Sequence, residues 1–235
     1  MPRSLQRSNA HHQVALSKLP LGVSSNFRYW GADRTIYVES GRGGRIRDID
    51  GNDYVDYRMG YGPGILGYGD ERVDAAAREG MAVGGVFALS TEREYEVARR
   101  ISKMVPAAEL VRFSNSGTEA VMAALRLAKG FTGKDSHIIV EGGYHGVFDA
   151  VLWYADIEEW DPAAGDPPIE CDSSGIPAMM KKLAYFTPLN DANYLEDLLK
   201  RHHQDIGAFL IEPMMGNCCS TVSYTHLTLP TMSTT

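Results

Sequence analysis

Between residues 109 and 211 short apolar, β-rich runs alternate with amphipathic helical stretches, and this alternation constrains the fold more than any other feature of the 235-residue chain. Leu110-Val111-Arg112-Phe113 reads as a short strand, 114–118 as a polar turn, and 119–129 as a helix with Val121, Leu125 and Ala128 on one face. The pattern then repeats, with a strand at 138–140, a loop over 141–146, a helix at 193–202 and another strand at 208–211. Strands separated by helices need crossover connections, so the expected architecture is α/β, with a mostly parallel sheet covered by helices. Residues 156–177, rich in Pro, Gly and acidic side chains, read as a long surface loop between these elements.

The N-terminal part carries a different pattern. Short β-rich runs around Gly41, Gly43, Gly44 and the Asp50-Gly51-Asn52 turn predict a small antiparallel hairpin region over 35–57. A glycine-dense loop from Gly60 to Gly69 follows and suggests close backbone approach to something. Helices are expected at 70–83 and 92–104, the second ended by Pro106. These signals divide the chain into an N-terminal extension (1–20), a small α+β segment with the hairpin (21–69), the start of a larger α/β domain (70–219) and a tail (220–235). Seven of the thirteen residues 223–235 are Ser or Thr, with neither helical nor strand periodicity. The tail therefore reads as a non-native or read-through end on a truncated coding sequence.

Charge and cysteine content narrow the functional classes. Twenty-three basic against thirty acidic side chains give a net charge of −7, which argues against a general polyanion binder such as a nucleic-acid protein. No apolar run reaches the roughly 18 residues of a membrane span, and the N-terminus lacks the apolar core of a secretory signal. The three cysteines Cys171, Cys218 and Cys219 are too few for a disulfide framework and fit a reducing compartment, so a cytoplasmic protein is expected.

The chemistry gathers at strand ends. Ser114-Asn115-Ser116-Gly117-Thr118-Glu119 places small hydroxyl residues and a glycine between a strand and a helix, where free N–H groups make a phosphate site. Gly142-Gly143-Tyr144-His145-Gly146 follows the next strand, where Tyr144 could lay its ring on a planar ligand held by that site. Ile211-Glu212-Pro213-Met214-Met215-Gly216-Asn217 brings a carboxylate and an amide to the same rim. A metal site from His202, His203, Cys218 and Cys219 ranks last, because adjacent pairs point apart on a helix or strand. No metal is expected.

These motifs, together with Asp48-Ile49-Asp50-Gly51-Asn52-Asp53-Tyr54-Val55-Asp56-Tyr57, resemble the class III aminotransferases of pyridoxal-phosphate fold type I, and among them the glutamate-1-semialdehyde 2,1-aminomutases. The resemblance runs from about Leu21 to Asn217 and implies the fold type I large domain, here incomplete, with pyridoxal 5'-phosphate as cofactor. It implies that Ser116, Gly117 and Thr118 cradle the cofactor phosphate, that Tyr144 stacks on the ring with His145 beside it, and that Glu212 and Asn217 flank the ring. It also implies that Arg28, in Ser25-Asn26-Phe27-Arg28, receives a substrate carboxylate, a task suited to the bidentate guanidinium, and that Tyr61 stands beside the substrate, where aminomutases carry Trp.

Such enzymes hold the cofactor as a Schiff base to a lysine, and an aspartate pairs with the pyridine nitrogen. None of the seven lysines here, Lys18, Lys103, Lys129, Lys134, Lys181, Lys182 and Lys200, stands in such a context. The chain is thus expected to be the N-terminal half of a homodimeric aminotransferase or aminomutase acting on small amino or keto acids, inactive by itself. The competing reading is a non-catalytic phosphate-ligand or nucleotide-binding module on a Rossmann-like sheet. It leaves Tyr144, Glu212 and Asn217 unexplained, and no Gly-x-Gly-x-x-Gly follows a strand.

Overall fold

The computed structural model describes residues 3–157, 160–161, 164–218 and 221–222. The chain forms two compact units, residues 1–94 and 95–235.

The first unit is organised by carboxylates that collect backbone N–H groups. Helix α1 (Gln6–Ala15) starts without a cap of its own. Instead Asp50, in the turn of the hairpin region, accepts the N–H groups of Arg7 (2.6 Å) and Ser8 (2.8 Å) and the Ser8 hydroxyl (2.5 Å), placing a negative charge at the helix N-terminus. At the other end of α1, buried His12 meets the Tyr37 hydroxyl at 3.1 Å, which donates to the Gly22 carbonyl at 2.8 Å.

Three antiparallel strands, β1 (Val38–Arg42), β2 (Arg45–Asp48) and β3 (Asp53–Val55), form a meander rather than one hairpin. Asp48 closes the β2–β3 turn. Burial pushes its carboxyl up, but bonds from Asn52 and the Tyr54 hydroxyl outweigh burial and hold it below the usual range. Tyr54, half-buried and bonded to that carboxylate, is pushed up to about 12 by desolvation and then by Asp48. Helix α2 (Glu71–Ala82) begins one residue after Asp70, whose side chain caps the Arg72 N–H.

Helix α3 (Glu92–Met104) covers the expected residues, and α4 (Gly117–Thr132) extends the expected helix at both ends. Residues 110–113, expected as a strand, are not one, and Leu110 is almost fully exposed. A strand backbone needs a neighbour to take its N–H and C=O groups, and among the described residues no strand pairs there.

The sheet of this unit has the order β7-β4-β8, all parallel, from β4 (Ser136–Val140), β7 (Ala184–Thr187) and β8 (Ile206–Leu210). All five residues of β4 are buried, as a central parallel strand requires. Ile139 faces Leu125 of α4 together with Val151, Trp153 and Phe186. Ile138 faces the other way, onto Tyr194, Leu195 and Leu198 of α5 (Ala192–His202). The stretch expected as a long loop contains a strand: β6 (Ile169–Cys171) pairs antiparallel with β5 (Trp153–Ala155) and packs Ile169 against the α4-side core. A short pair, β9 (Met214–Met215) with β10 (Thr221–Val222), follows the sheet. Apart from residues 221 and 222, the tail 220–235 lies outside the described residues, as does Cys219. No described helix is long and apolar enough to cross a membrane.

His137, on β4 beneath α4, is fully buried, with Nε2 2.9 Å from the Ala150 carbonyl. Burial, reinforced by the charge of Lys129, lowers its pKa to about 4. The unfolded imidazole titrates near pH 6.5, so as pH falls from there toward the folded value the unfolded chain gains a proton that the folded one refuses. Stability should fall through that window by on the order of 3 kcal/mol. Urea unfolding at about pH 7 and about pH 4 will measure the loss, and His137→Gln, which keeps a donor for Ala150, should flatten it.

Candidate active site

The N-terminus of α4 is capped by side chains of its own first turn. Ser116 has extended backbone, and its Oγ accepts the Glu119 N–H at 3.2 Å; in return the Glu119 carboxylate accepts the Asn115 N–H at 2.7 Å. This reciprocal pair is a capping box shifted by one residue. It leaves the first N–H groups of the helix, those of Gly117 and Thr118, without an intrahelical acceptor and at the positive end of the dipole. A Cβ added at Gly117 would meet nothing within 4 Å, so no neighbouring group covers that side of the residue.

The loop after β4 is knitted to that terminus. The Val147 N–H donates to Thr118 Oγ1 at 3.1 Å, and the Tyr144 N–H donates to Glu212 Oε2 at 3.3 Å. Gly146, at φ 103°, lies so close that an added Cβ would fall 2.6 Å from Thr118 Oγ1. Gly142, at φ 81°, has its carbonyl 3.8 Å from the Cys218 thiol. Three segments, one at the start of α4 with Ser116, Gly117 and Thr118 and two at strand ends with Tyr144 and His145 and with Glu212, are thereby brought together, and Asn217 stands exposed next to Cys218.

The two titratable groups flanking Tyr144 in sequence are buried in different ways. His145 is nine-tenths buried, and among the described residues its Nε2 has no hydrogen-bond partner; a Cβ at Gly143 would come within 2.9 Å of it. Burial pushes the imidazole down, partly offset by the Glu212 carboxylate. The ring is thus a neutral prop beneath the Gly142-Gly143 turn, while Tyr144 keeps 44% of its surface exposed. Burial pushes Glu141 up, opposed by the N–H groups of Ala155 (2.7 Å) and Gly142.

Arg28 and Tyr61 belong to the first unit, where both line a cavity of about 1000 Å³. Arg28 donates to Ser24 Oγ at 2.9 Å, and the Tyr61 hydroxyl donates to the Phe27 carbonyl at 2.7 Å while accepting from Arg58. Sequence reading passed over Glu119, Glu141 and Arg58. The Ser116-x-x-Glu119 spacing was the available signal for the first. Nothing local distinguishes the other two, whose surroundings are made by distant segments.

A search of solved structures places the fold. An omega-transaminase from Sphaerobacter thermophilus superposes with a TM-score of 0.84 at 29% identity, over 94% of this chain and 50% of that one. A transaminase with pyridoxal phosphate bound gives 0.84 at 27% identity, over 95% and 50%. The family model for class III aminotransferases matches residues 29–227, and the chain belongs to that family. Among curated relatives, the glutamate-1-semialdehyde 2,1-aminomutase of Methanosphaera stadtmanae is 38% identical over 91% of this chain and 48% of its own length. That of Archaeoglobus fulgidus is 40% identical over 91% and 49%. The chain spans about half the length of the curated relatives it matches.

Replacing Gly146 by Ala should force the loop off the helix terminus, because the methyl overlaps Thr118 and φ lies where side chains are strained. A loss of about 1–3 kcal/mol is expected. Hydrogen exchange at the Val147 amide, whose acceptor is Thr118, should accelerate in the variant.

Proposed function

We propose that this chain is the N-terminal part of a pyridoxal-phosphate-dependent aminotransferase or aminomutase that moves an amino group on small amino, keto or semialdehyde acids. The parent enzyme is a cytoplasmic homodimer, with 21–69 its small segment and 70–219 the start of its large domain. The observation that carries this reading is the open anion site at the α4 N-terminus tied through Thr118 to the loop that bears Tyr144.

The residues fit the cofactor. Gly117 and Thr118 offer free N–H groups and open space for a phosphate, and the Ser116 and Thr118 hydroxyls stand beside them. When bound, pyridoxal phosphate supplies an electron sink for charge that develops next to the amino carbon. The Thr118 hydroxyl accepts the Val147 N–H and keeps its own proton free to donate to the phosphate. Glu212, by accepting the Tyr144 N–H, fixes the height of the Tyr144 ring on which the cofactor would stack. His145 supports that ring's backbone from beneath, and Asn217 offers an amide to the ring's oxygen substituent. Arg28 takes the substrate carboxylate, and Tyr61 borders its side chain.

Calorimetric titration with pyridoxal phosphate, and with inorganic phosphate as a smaller probe, tests the phosphate site. Gly117→Val should abolish binding of both by filling the cradle. Thr118→Ala should cost roughly 1.5–3 kcal/mol, or about one to two decades of affinity. Tyr144→Phe should keep the stack and the affinity, whereas Tyr144→Ala should weaken pyridoxal phosphate alone. If Gly117→Val binds as tightly as the parent chain, the site is wrongly assigned.

The lysines provide a second test. Lys134 donates to the His203 carbonyl at 2.6 Å and Lys200 pairs with Glu196 at 2.6 Å, so both amines are engaged within their own surroundings. Borohydride reduction after mixing with pyridoxal phosphate should leave no single lysine labelled stoichiometrically, and the chain should show no transaminase or aminomutase turnover. Mapping one fully labelled lysine would refute this.

A further inference from the structure

Within the first unit, the loop after β3 holds three consecutive residues in the left-handed region, Met59 (φ 45°), Gly60 (φ 65°) and Tyr61 (φ 65°). Only the glycine adopts this conformation without a steric penalty, so the surroundings must hold the other two in place. Asp56 does part of this: its carboxylate accepts the N–H groups of Arg58 (2.7 Å) and Met59 (3.2 Å) and the Tyr68 hydroxyl (2.6 Å). The Tyr68 bond first, then those backbone bonds, keep that carboxyl ionised below its usual range against the opposing effect of burial.

Arg58 does the rest. Its guanidinium lies 4.5 Å over the Trp30 ring and 5.1 Å from the centre of the Tyr61 ring. It donates to the Phe27 carbonyl at 3.2 Å and to the Tyr61 hydroxyl, which donates to the same carbonyl at 2.7 Å. Phe27 meets Tyr61 edge to face at 5.8 Å. One planar cation thus ties together Trp30, Tyr61 and the backbone immediately before Arg28. Arg28, by contrast, donates to the neutral Ser24 hydroxyl, and among the described residues it pairs with no carboxylate. The cavity these groups share is lined by Arg3, Arg28, Arg34 and Arg58, while its one acidic residue is the already engaged Asp56.

We propose that Arg58 is a positioning residue: with its Nη1 donors committed to Phe27 and Tyr61 and its plane over Trp30, it fixes an aromatic wall and presents the neighbouring Arg28 guanidinium to a carboxylate ligand with a flat apolar body. Lysine cannot replace it, because an ammonium lacks both the planar stacking face and the fork of donors. The inference rests on the substrate role given to Arg28 and Tyr61 but needs no cofactor. Its test contains no pyridoxal phosphate, so its failure and that of the phosphate site are distinguishable.

Phenylglyoxal, which condenses with accessible guanidinium groups, is the probe, with adducts located by peptide mapping of the full chain. The clamp predicts that Arg58 reacts about tenfold more slowly than Arg28, since its Nη1 is bonded to Phe27 and Tyr61 and its plane lies over the Trp30 ring. Added 3-phenylpropionate should slow labelling of Arg28 by about fivefold or more, and its neutral amide should not. In Arg58→Lys that protection should fall below about twofold and Trp30 emission should shift, while circular dichroism stays unchanged. Tyr61→Phe, which removes only the hydroxyl partner of the clamp, should lower the protection partway and guards against an Arg58 variant that does not fold. Equal labelling of Arg28 and Arg58, no protection in the parent chain, or full protection retained in both variants would overturn the proposal.

Discussion

Everything in the second unit depends on β4 being paired on both edges and buried on both faces. Ile139 and Ile138 anchor it to opposite layers, under α4 and under α5 respectively, so the strand has no freedom to twist or slide. A one-residue slip would exchange these two faces and expose half of each core cluster. Because the strand is fixed, the point where it stops is also fixed, and the next residues leave the sheet at its C-terminal edge. That edge is where open α/β sheets bind ligands. The Gly142-Gly143 turn, the Tyr144 ring and the Thr118 tether inherit their positions from that single buried strand.

The first unit reaches definition by a different route. It lacks a comparable apolar strand, and much of β1 and β3 is exposed. In its place, Asp48 and Asp56 each gather several N–H or O–H groups and so shape a turn, and Asp50 gathers those that start α1. Charge-assisted bonds of this sort define geometry locally without needing a large core. Consistent with that, Asp48 and Asp56 are both held ionised against the opposing effect of burial.

Much of this was legible in the chain itself. The α3, α4 and α5 helices and strands β4 and β8 follow from apolar periodicity, and Ser116 with Gly117 announces a helix start. The Tyr144 and Glu212 segments could be placed at strand ends because a parallel sheet puts all such ends on one side. What the sequence hid is non-local. Residues 110–113 look like a strand because their composition suits one, yet strand formation depends on a partner that no local pattern reveals. The pairing of β6 with β5 was hidden by the Pro and Gly residues around it. Arg58 reads as one more arginine, because beside the nearby Tyr61 its partners are Trp30 and Phe27, roughly thirty positions away in sequence.

The Glu119 carboxylate, bonded to the Asn115 N–H at the mouth of α4, sets the terms on which any anion can arrive there. Its negative charge already balances part of the positive field of the helix end, so a passing chloride or acetate gains little from the electrostatics alone. An incoming group must instead offer enough oxygens to satisfy the directed N–H and hydroxyl donors of Ser116, Gly117 and Thr118 at once. Discrimination at this helix end thus falls to the number and direction of a ligand's acceptors rather than to its charge.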